Sequence, residues 1–391
     1  MDKKEIECAY KYLERVQVAY MKYNGMVLSD YYLFEEDLEH FPEQHRDILS
    51  NMIISSPEDL TGSDKYEKNT TYQLLKECVS KIDTPAIKEK IIQDFKIREQ
   101  DNLIFPVWGT VPAYEFSAEI CPFDSNIKLI MISDTVFTSA YLLVKIIDNI
   151  MFSRDDTGLP EFNLTYEDMR KHLNENYILQ QRFNDFLGSI FFCKTPIFAK
   201  QYFNEASIFR SVMLDGFEIF VVAHEYAHSL CGHMSKRYMS ANGISKVLSY
   251  AEVEMVCHEW EDEFEADSIG AYITLMAIKY NDFSKWVRFM GIYLCLSMME
   301  LQEKISALKE CKISFSRTHP PALERKKMLL KKFFPKGKPE VYDNIDKILD
   351  ELWNTFLLTL KKVTMKTLKR YGPEAANLSL SLFQEAIYNE T

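Results

Sequence analysis

The chain has 391 residues, is 47% hydrophobic and carries a formal charge of -12: enough apolar material for a substantial core, and the wrong sign for a nucleic-acid-binding surface. Its eight cysteines occur singly, with no C-x-x-C spacing, so neither a disulfide framework nor a thiolate metal site is signalled. The opening Met1-Asp2-Lys3-Lys4-Glu5-Ile6-Glu7 has no apolar signal region, and a reducing, cytoplasmic location is the expectation.

With only 12 Gly and 13 Pro as punctuation, long helices are favoured over many hairpins. Residues 1–95 read as several amphipathic helices, separated by Ser56-Pro57-Glu58-Asp59 and Thr61-Gly62-Ser63-Asp64, whose Ser and Asp are suited to N-caps. Two apolar stretches fall short of a membrane span. Residues 140–152 are broken by Lys145 and Asp148, and residues 286–299 are too few and contain Arg288. The segment 153–205 opens turn-like, at Ser153-Arg154-Asp155-Asp156-Thr157-Gly158-Leu159-Pro160, and continues helically from Met169 to Leu187. A scaffold helix pair is expected there rather than a lid. Six Lys between Lys326 and Lys338 read as a solvated helix end running into Pro335-Lys336-Gly337-Lys338-Pro339. Beyond it, Ile345, Ile348, Leu349, Leu352, Phe356 and Leu360 recur at helical spacing over 341–368, and Gly372-Pro373 precedes a short helix over 374–388.

The chemistry concentrates at His224-Glu225-Tyr226-Ala227-His228, an HExxH motif preceded by the apolar run Phe217-Glu218-Ile219-Phe220-Val221-Val222-Ala223. On a helix, histidines four apart point the same way and can hold one metal ion. A buried imidazole pair beside a carboxylate is costly unless something binds it, and zinc takes such ligands ordinarily. A third ligand is sought in His258-Glu259-Trp260-Glu261-Asp262-Glu263-Phe264-Glu265-Ala266-Asp267. A cluster of this kind also reads as a solvated acidic face, and Glu259, Glu261 and Glu265 are assigned to one. Glu263 and Asp267, four apart and followed by apolar Ile269, Ala271, Tyr272 and Ile273, point into a core instead. One of the two can bind the metal while the other accepts a hydrogen bond from the free ring nitrogen of a liganding histidine. Ala266, Gly270 and Ala271 would let the two helices approach closely. His233, after the expected helix-capping Gly232, reads as structural, and His258 is left unassigned.

In their order, His224-Glu225-x-x-His228 with Gly232-His233, Glu263-x-x-Ala266-Asp267, and Thr318-His319-Pro320-Pro321 followed by Arg325 resemble the zinc peptidases of the CAAX prenyl protease and HtpX family, within the gluzincin clan. The resemblance covers about residues 105 to 330. It implies His224, His228 and Glu263 as zinc ligands, Glu225 as general base, Asp267 as the carboxylate behind a ligand, and His319 as a donor to the oxyanion. It also implies two strands before the motif helix, Val111-Pro112-Ala113-Tyr114-x-Phe116 and Ile127–Ser133, the second being the edge strand that receives substrate. Many members carry membrane-embedded helices, and this chain departs from them there.

The expected fold is α+β and predominantly helical: a zincin-like metallopeptidase core with a small β-sheet and an HExxH helix. Residues 1–95 form a helical N-terminal region, 96–335 the metallopeptidase domain with its insertion at 153–205, and 336–391 a helical C-terminal region. The expected activity is hydrolysis of a protein or peptide substrate by metal-activated water, with one zinc ion per chain and Glu225 as base. The competing expectation is a zinc-stabilised regulatory or binding module with little hydrolytic activity.

Overall fold

A computed structural model describes residues 3–24, 33–34, 53–54, 70–95, 104–113, 116–122, 128–154, 160–188, 190, 208–233, 260–279, 283–310 and 320–371. The described chain is predominantly helical, with a small three-stranded sheet, and divides into two units.

The first unit comprises Met1–Phe137, Glu218–Asn281 and Phe315–Pro321. It opens with helix α1 (Lys3–Asn24), a short parallel pair β1 (Leu33–Phe34) and β2 (Ile53–Ile54), then helices α2 (Thr70–Ile82) and α3 (Pro85–Phe95). The sheet follows: β3 (Val107–Val111), β4 (Ala118–Pro122) and β5 (Lys128–Ser133), in the order β3-β5-β4, with β5 parallel to β3 and antiparallel to β4. Two strand expectations need correction. The first strand ends at Val111 rather than spanning 111–116, and β5 is the central strand, not an edge. The physical reason is visible in β5 itself. Its residues from Leu129 to Ser133 are all buried, so both faces are covered and the run is apolar without alternation, as a central strand requires. The edge strand next to β5 on the antiparallel side is β4, marked in sequence only by the short Ala118-Glu119-Ile120-Cys121-Pro122.

Helix α1 lies on this sheet. Ala9 and Leu13 join Val107, Val111, Cys121, Leu129 and Met131 in one apolar cluster, and Gln17 Nε2 donates to the Thr110 carbonyl at 2.6 Å. The carbonyl of Ala113 accepts from Ser133 Oγ at 2.8 Å and Thr135 Oγ1 at 2.5 Å, while Ser133 Oγ accepts from the Thr135 backbone N–H at 3.2 Å. Ser133 therefore ends β5 and caps helix α4 (Asp134–Met151) in one residue.

The second unit comprises Thr138–Phe217, Asp282–Ser314 and Ala322–Thr391. After α4, β6 (Phe152–Arg154) and β7 (Pro160–Phe162) pair antiparallel, so the segment expected to be turn-like is flanked by paired strands. Helices α5 (Tyr166–Glu175) and α6 (Tyr177–Leu187) then pack against the long C-terminal helix α11 (Val341–Tyr371), where Asn344 Nδ2 donates to the Leu164 carbonyl at 3.0 Å. The described helices of the insertion are thus packed on α11. Helix α7 (Ile208–Leu230) belongs to this unit up to Phe217, where it crosses α9 (Lys285–Glu310) at Gly216 and Gly291. A Cβ on Gly291 would fall 2.1 Å from the Met213 carbonyl oxygen. Helix α8 (Trp260–Ala277) is in the first unit, and α10 (Ala322–Phe333) in the second.

The lysine strip also departs from expectation. Lys326 is not solvated: its side chain is 3% exposed and its Nζ lies 2.7 Å from Glu300 Oε2 and 2.8 Å from Asp346 Oδ1, a buried cation between two carboxylates. Asp148, one of the charges that interrupt the apolar stretch 140–152, is similarly matched, with Arg210 Nη2 at 2.6 Å. Among the described residues, no helix is long and apolar enough to cross a membrane. The expected helix over 374–388 lies outside the described residues.

Candidate metal centre

Two helical segments of the first unit build the site, α7 from Glu218 onward and α8, and each is held in place by contacts that the sequence dictates. The last turns of α7 carry His224, Glu225 and His228, with Tyr226 on the opposite side buried against Phe105 at a ring separation of 4.4 Å. Burial pushes the Tyr226 phenol well up, so it stays neutral and serves as packing. The C-terminal end of α7 is tied to the sheet by Lys128, whose Nζ donates to the Ser229 carbonyl at 3.0 Å and Oγ at 3.1 Å, a cation where the helix dipole favours one.

Helix α8 packs on α2 and α3, where the hydroxyl of Tyr272 donates to Asp94, and it meets α7 backbone to backbone. A Cβ on Gly270 would lie 2.9 Å from the His224 backbone nitrogen, so nothing larger than hydrogen fits without moving a helix. Ala266 and Ala271 are fully buried. This close approach brings Glu263 to the two histidines.

The resulting geometry is tight. His224 Nε2 and His228 Nε2 are 3.2 Å apart, His224 Nε2 is 3.5 Å from Glu263 Oε2, and His228 Nε2 is 3.5 Å from Glu263 Oε1. All three residues are buried, Glu263 fully. A tetrahedral ion with nitrogen and oxygen ligands about 2.0–2.2 Å away sets neighbouring ligand atoms about 3.3–3.5 Å apart, so the three groups fit one metal ion. The proton inventory points the same way. His224 Nδ1 is 3.0 Å from Asp267 Oδ1, a distance at which a buried carboxylate favours the ring proton on Nδ1 and leaves Nε2, 3.5 Å from Glu263 Oε2, as the acceptor. Acceptors converging on a buried point repel one another until a cation joins them. His224, His228 and Glu263 therefore form a group that could hold a metal ion.

No protein family, curated protein or solved structure matches this chain.

Glu225, next to His224 on α7, is 6% exposed. Burial itself, then the charge of Glu119 and then that of Glu225, push the Cys121 thiol of β4 up to about 12. Asp267 stands behind His224 as described. His319 and His258 lie outside the described residues, and only Pro320 and Pro321 of the Thr-His-Pro-Pro motif are within them.

Sequence reasoning passed over one residue here. His233, set aside as structural, is 1% exposed, and its Nδ1 lies 3.0 Å from Nδ1 of His228. Its Nε2 lies 3.0 Å from Glu265 Oε2 and 3.5 Å from Asp262 Oδ1, so Glu265, assigned to a solvated face, has an inward contact as well. The signal that could have found it is Gly232. In the left-handed conformation, φ 67°, it closes α7 with the two bonds of a Schellman motif: His233 N–H to the His228 carbonyl at 3.2 Å, and Gly232 N–H to the Ser229 carbonyl at 3.2 Å. That motif places the residue after the glycine against the one five positions earlier, ordinarily as an apolar contact. Here both are histidine. Cys231, His233 and Glu265 form a second group with metal-ligand atoms near one another.

Proposed function

We propose that the protein is a zinc-dependent endopeptidase of gluzincin type, with His224, His228 and Glu263 as the metal ligands and Glu225 as the general base. The observation that carries the reading is the spacing of the three ligand groups, 3.2, 3.5 and 3.5 Å, together with a buried carboxylate on the same helical turn. A structural zinc site is closed by four protein ligands and has no use for a base beside them. Among the described residues three groups meet here, which suits a catalytic site with one position open. When bound, zinc supplies Lewis acidity towards water and a peptide carbonyl.

The chain's own groups do the rest. Asp267 holds the His224 proton at Nδ1 and so fixes the ring's direction. A Glu225 carboxylate oxygen takes a proton from the attacking water and delivers it to the nitrogen of the leaving amine as the peptide bond breaks. The edge strand β4, whose Cys121 feels the Glu225 charge, is the segment we assign to receiving an extended peptide by strand addition.

Glu225→Gln in the full-length chain tests the assignment. Cells expressing wild type should show new protein N-termini that are absent with the variant, while the purified variant keeps its metal. Persistent cleavage by the variant contradicts the base assignment; a wild-type protein that holds zinc and yields no new N-termini supports the regulatory-module alternative instead.

A further inference from the structure

We infer that His233, backed by Glu265 and Asp262, is a positioning residue that fixes the tautomer of His228, and that the adjoining Cys231, His233 and Glu265 group is not a second metal site while the first is filled. The inference rests on reading His224, His228 and Glu263 as a metal centre.

A neutral imidazole has one N–H and one acceptor nitrogen. Glu265 at 3.0 Å and Asp262 at 3.5 Å both face His233 Nε2, and two carboxylates keep the proton on that nitrogen. The Nδ1 of His233 is then the acceptor. Because it is 3.0 Å from Nδ1 of His228, and two acceptors cannot share that distance, the His228 proton sits on Nδ1 and its Nε2 lone pair faces Glu263. His228 is thus oriented by the same logic as His224. The difference is that Asp267 touches His224 directly, whereas the acidic groups reach His228 through an intervening ring.

The same proton makes the two metal-ligand groups exclusive. An ion on His233 Nε2 would move the shared proton onto His233 Nδ1 and leave His228 an Nε2–H, which binds no metal. Filling both would require the His233 Nε2 proton to be lost altogether, leaving His233 an imidazolate that still accepts from the His228 Nδ1–H. Gly232 is what brings the two rings together, since its positive φ turns the chain back so that His233 lies over His228.

The test compares His233→Leu with His233→Asn in the full-length protein, reading zinc affinity by competition with a chromogenic chelator. Asn keeps an acceptor near the Nδ1 position and Leu does not. Loss of the hydrogen bond behind a ligand weakens metal binding by about 10–100-fold, so the Leu variant should lose that much and the Asn variant should stay within a few-fold of wild type. A purely packing role for this buried residue predicts the reverse, with Leu tolerated and Asn harmful, and that order would overturn the inference. Titration with cobalt supplies the second arm. Wild type should take up one equivalent with no thiolate-to-cobalt charge-transfer band, whereas a second equivalent with a band that vanishes in Cys231→Ser would overturn the exclusion. Absence of any metal in wild type would instead defeat the metal-centre reading, and is distinguishable from both outcomes.

Discussion

His224 and His228 are presented by one helix, but their back nitrogens are held differently. Asp267, fully buried, lies 3.0 Å from His224, while His228 is reached through His233, whose partner Glu265 has a side chain that is 58% exposed. Burial costs a carboxylate unless charge or hydrogen bonds compensate, and in the first unit Glu263 and Asp267 are placed beside histidines, where a bound cation would do so. Asp185 on α6, in the second unit, shows the uncompensated direction: burial pushes its carboxyl up to about 6. An unfolded-chain Asp ionises near pH 4. Between about pH 4 and 6 the unfolded state has released the proton while the folded state retains it, so this group lowers stability as pH rises through that window and keeps the deficit above it. Asp185→Asn should therefore stabilise the protein at pH 7, by on the order of 1 kcal/mol once solvent screening is allowed for, and by nothing at pH 3. Denaturant melts at the two pH values check this, and an equal effect at both would contradict it.

At the scale of elements, the pairing of α7 with α8 is what turns two sequence motifs into one site. Helical spacing made His224 with His228, and Glu263 with Asp267, legible as pairs, and the small residues at 266, 270 and 271 announced the close approach. Its tightness was not legible, because it depends on which backbone atoms Gly270 meets. Gly270→Ala should destabilise the fold by about 1–3 kcal/mol through overpacking against the His224 backbone, with alanine's better helix propensity returning up to about 1 kcal/mol. Metal affinity should fall with it, as Glu263 is pushed from the histidines. Chelator competition alongside denaturant melts decides the point, and unchanged affinity would show that Gly270 does not set the ligand spacing. The sheet was less legible. The continuous apolar run of β5 carried the mark of a strand covered on both faces, while β4 interrupts its short run with Glu119 and ends on Pro122, too little alternation to declare an edge. His233 was missed for a related reason: a helix cap was expected at Gly232, but not the Schellman form of it or the contact that such a turn imposes five residues back.

For the whole molecule, the predominantly helical character and the helix beyond Val341 followed from periodicity and sparse Gly and Pro. The two-unit division did not, because both α4 and α7 run across it without a break that composition could mark. Charge was also misleading locally. Lys326 and Asp148 look like surface residues or interruptions of an apolar run, yet each is buried against opposite charge within the second unit. In the first unit, α7 and α8 together supply His224, His228 and Glu263, which could hold a metal ion, with Glu225 and Asp267 beside them. Metal content of the purified full-length chain tests the functional account most directly. Wild type should carry about one zinc per chain and Glu263→Ala should lose most of it. A wild-type chain without metal, or a Glu263→Ala variant that keeps its full complement, would contradict it.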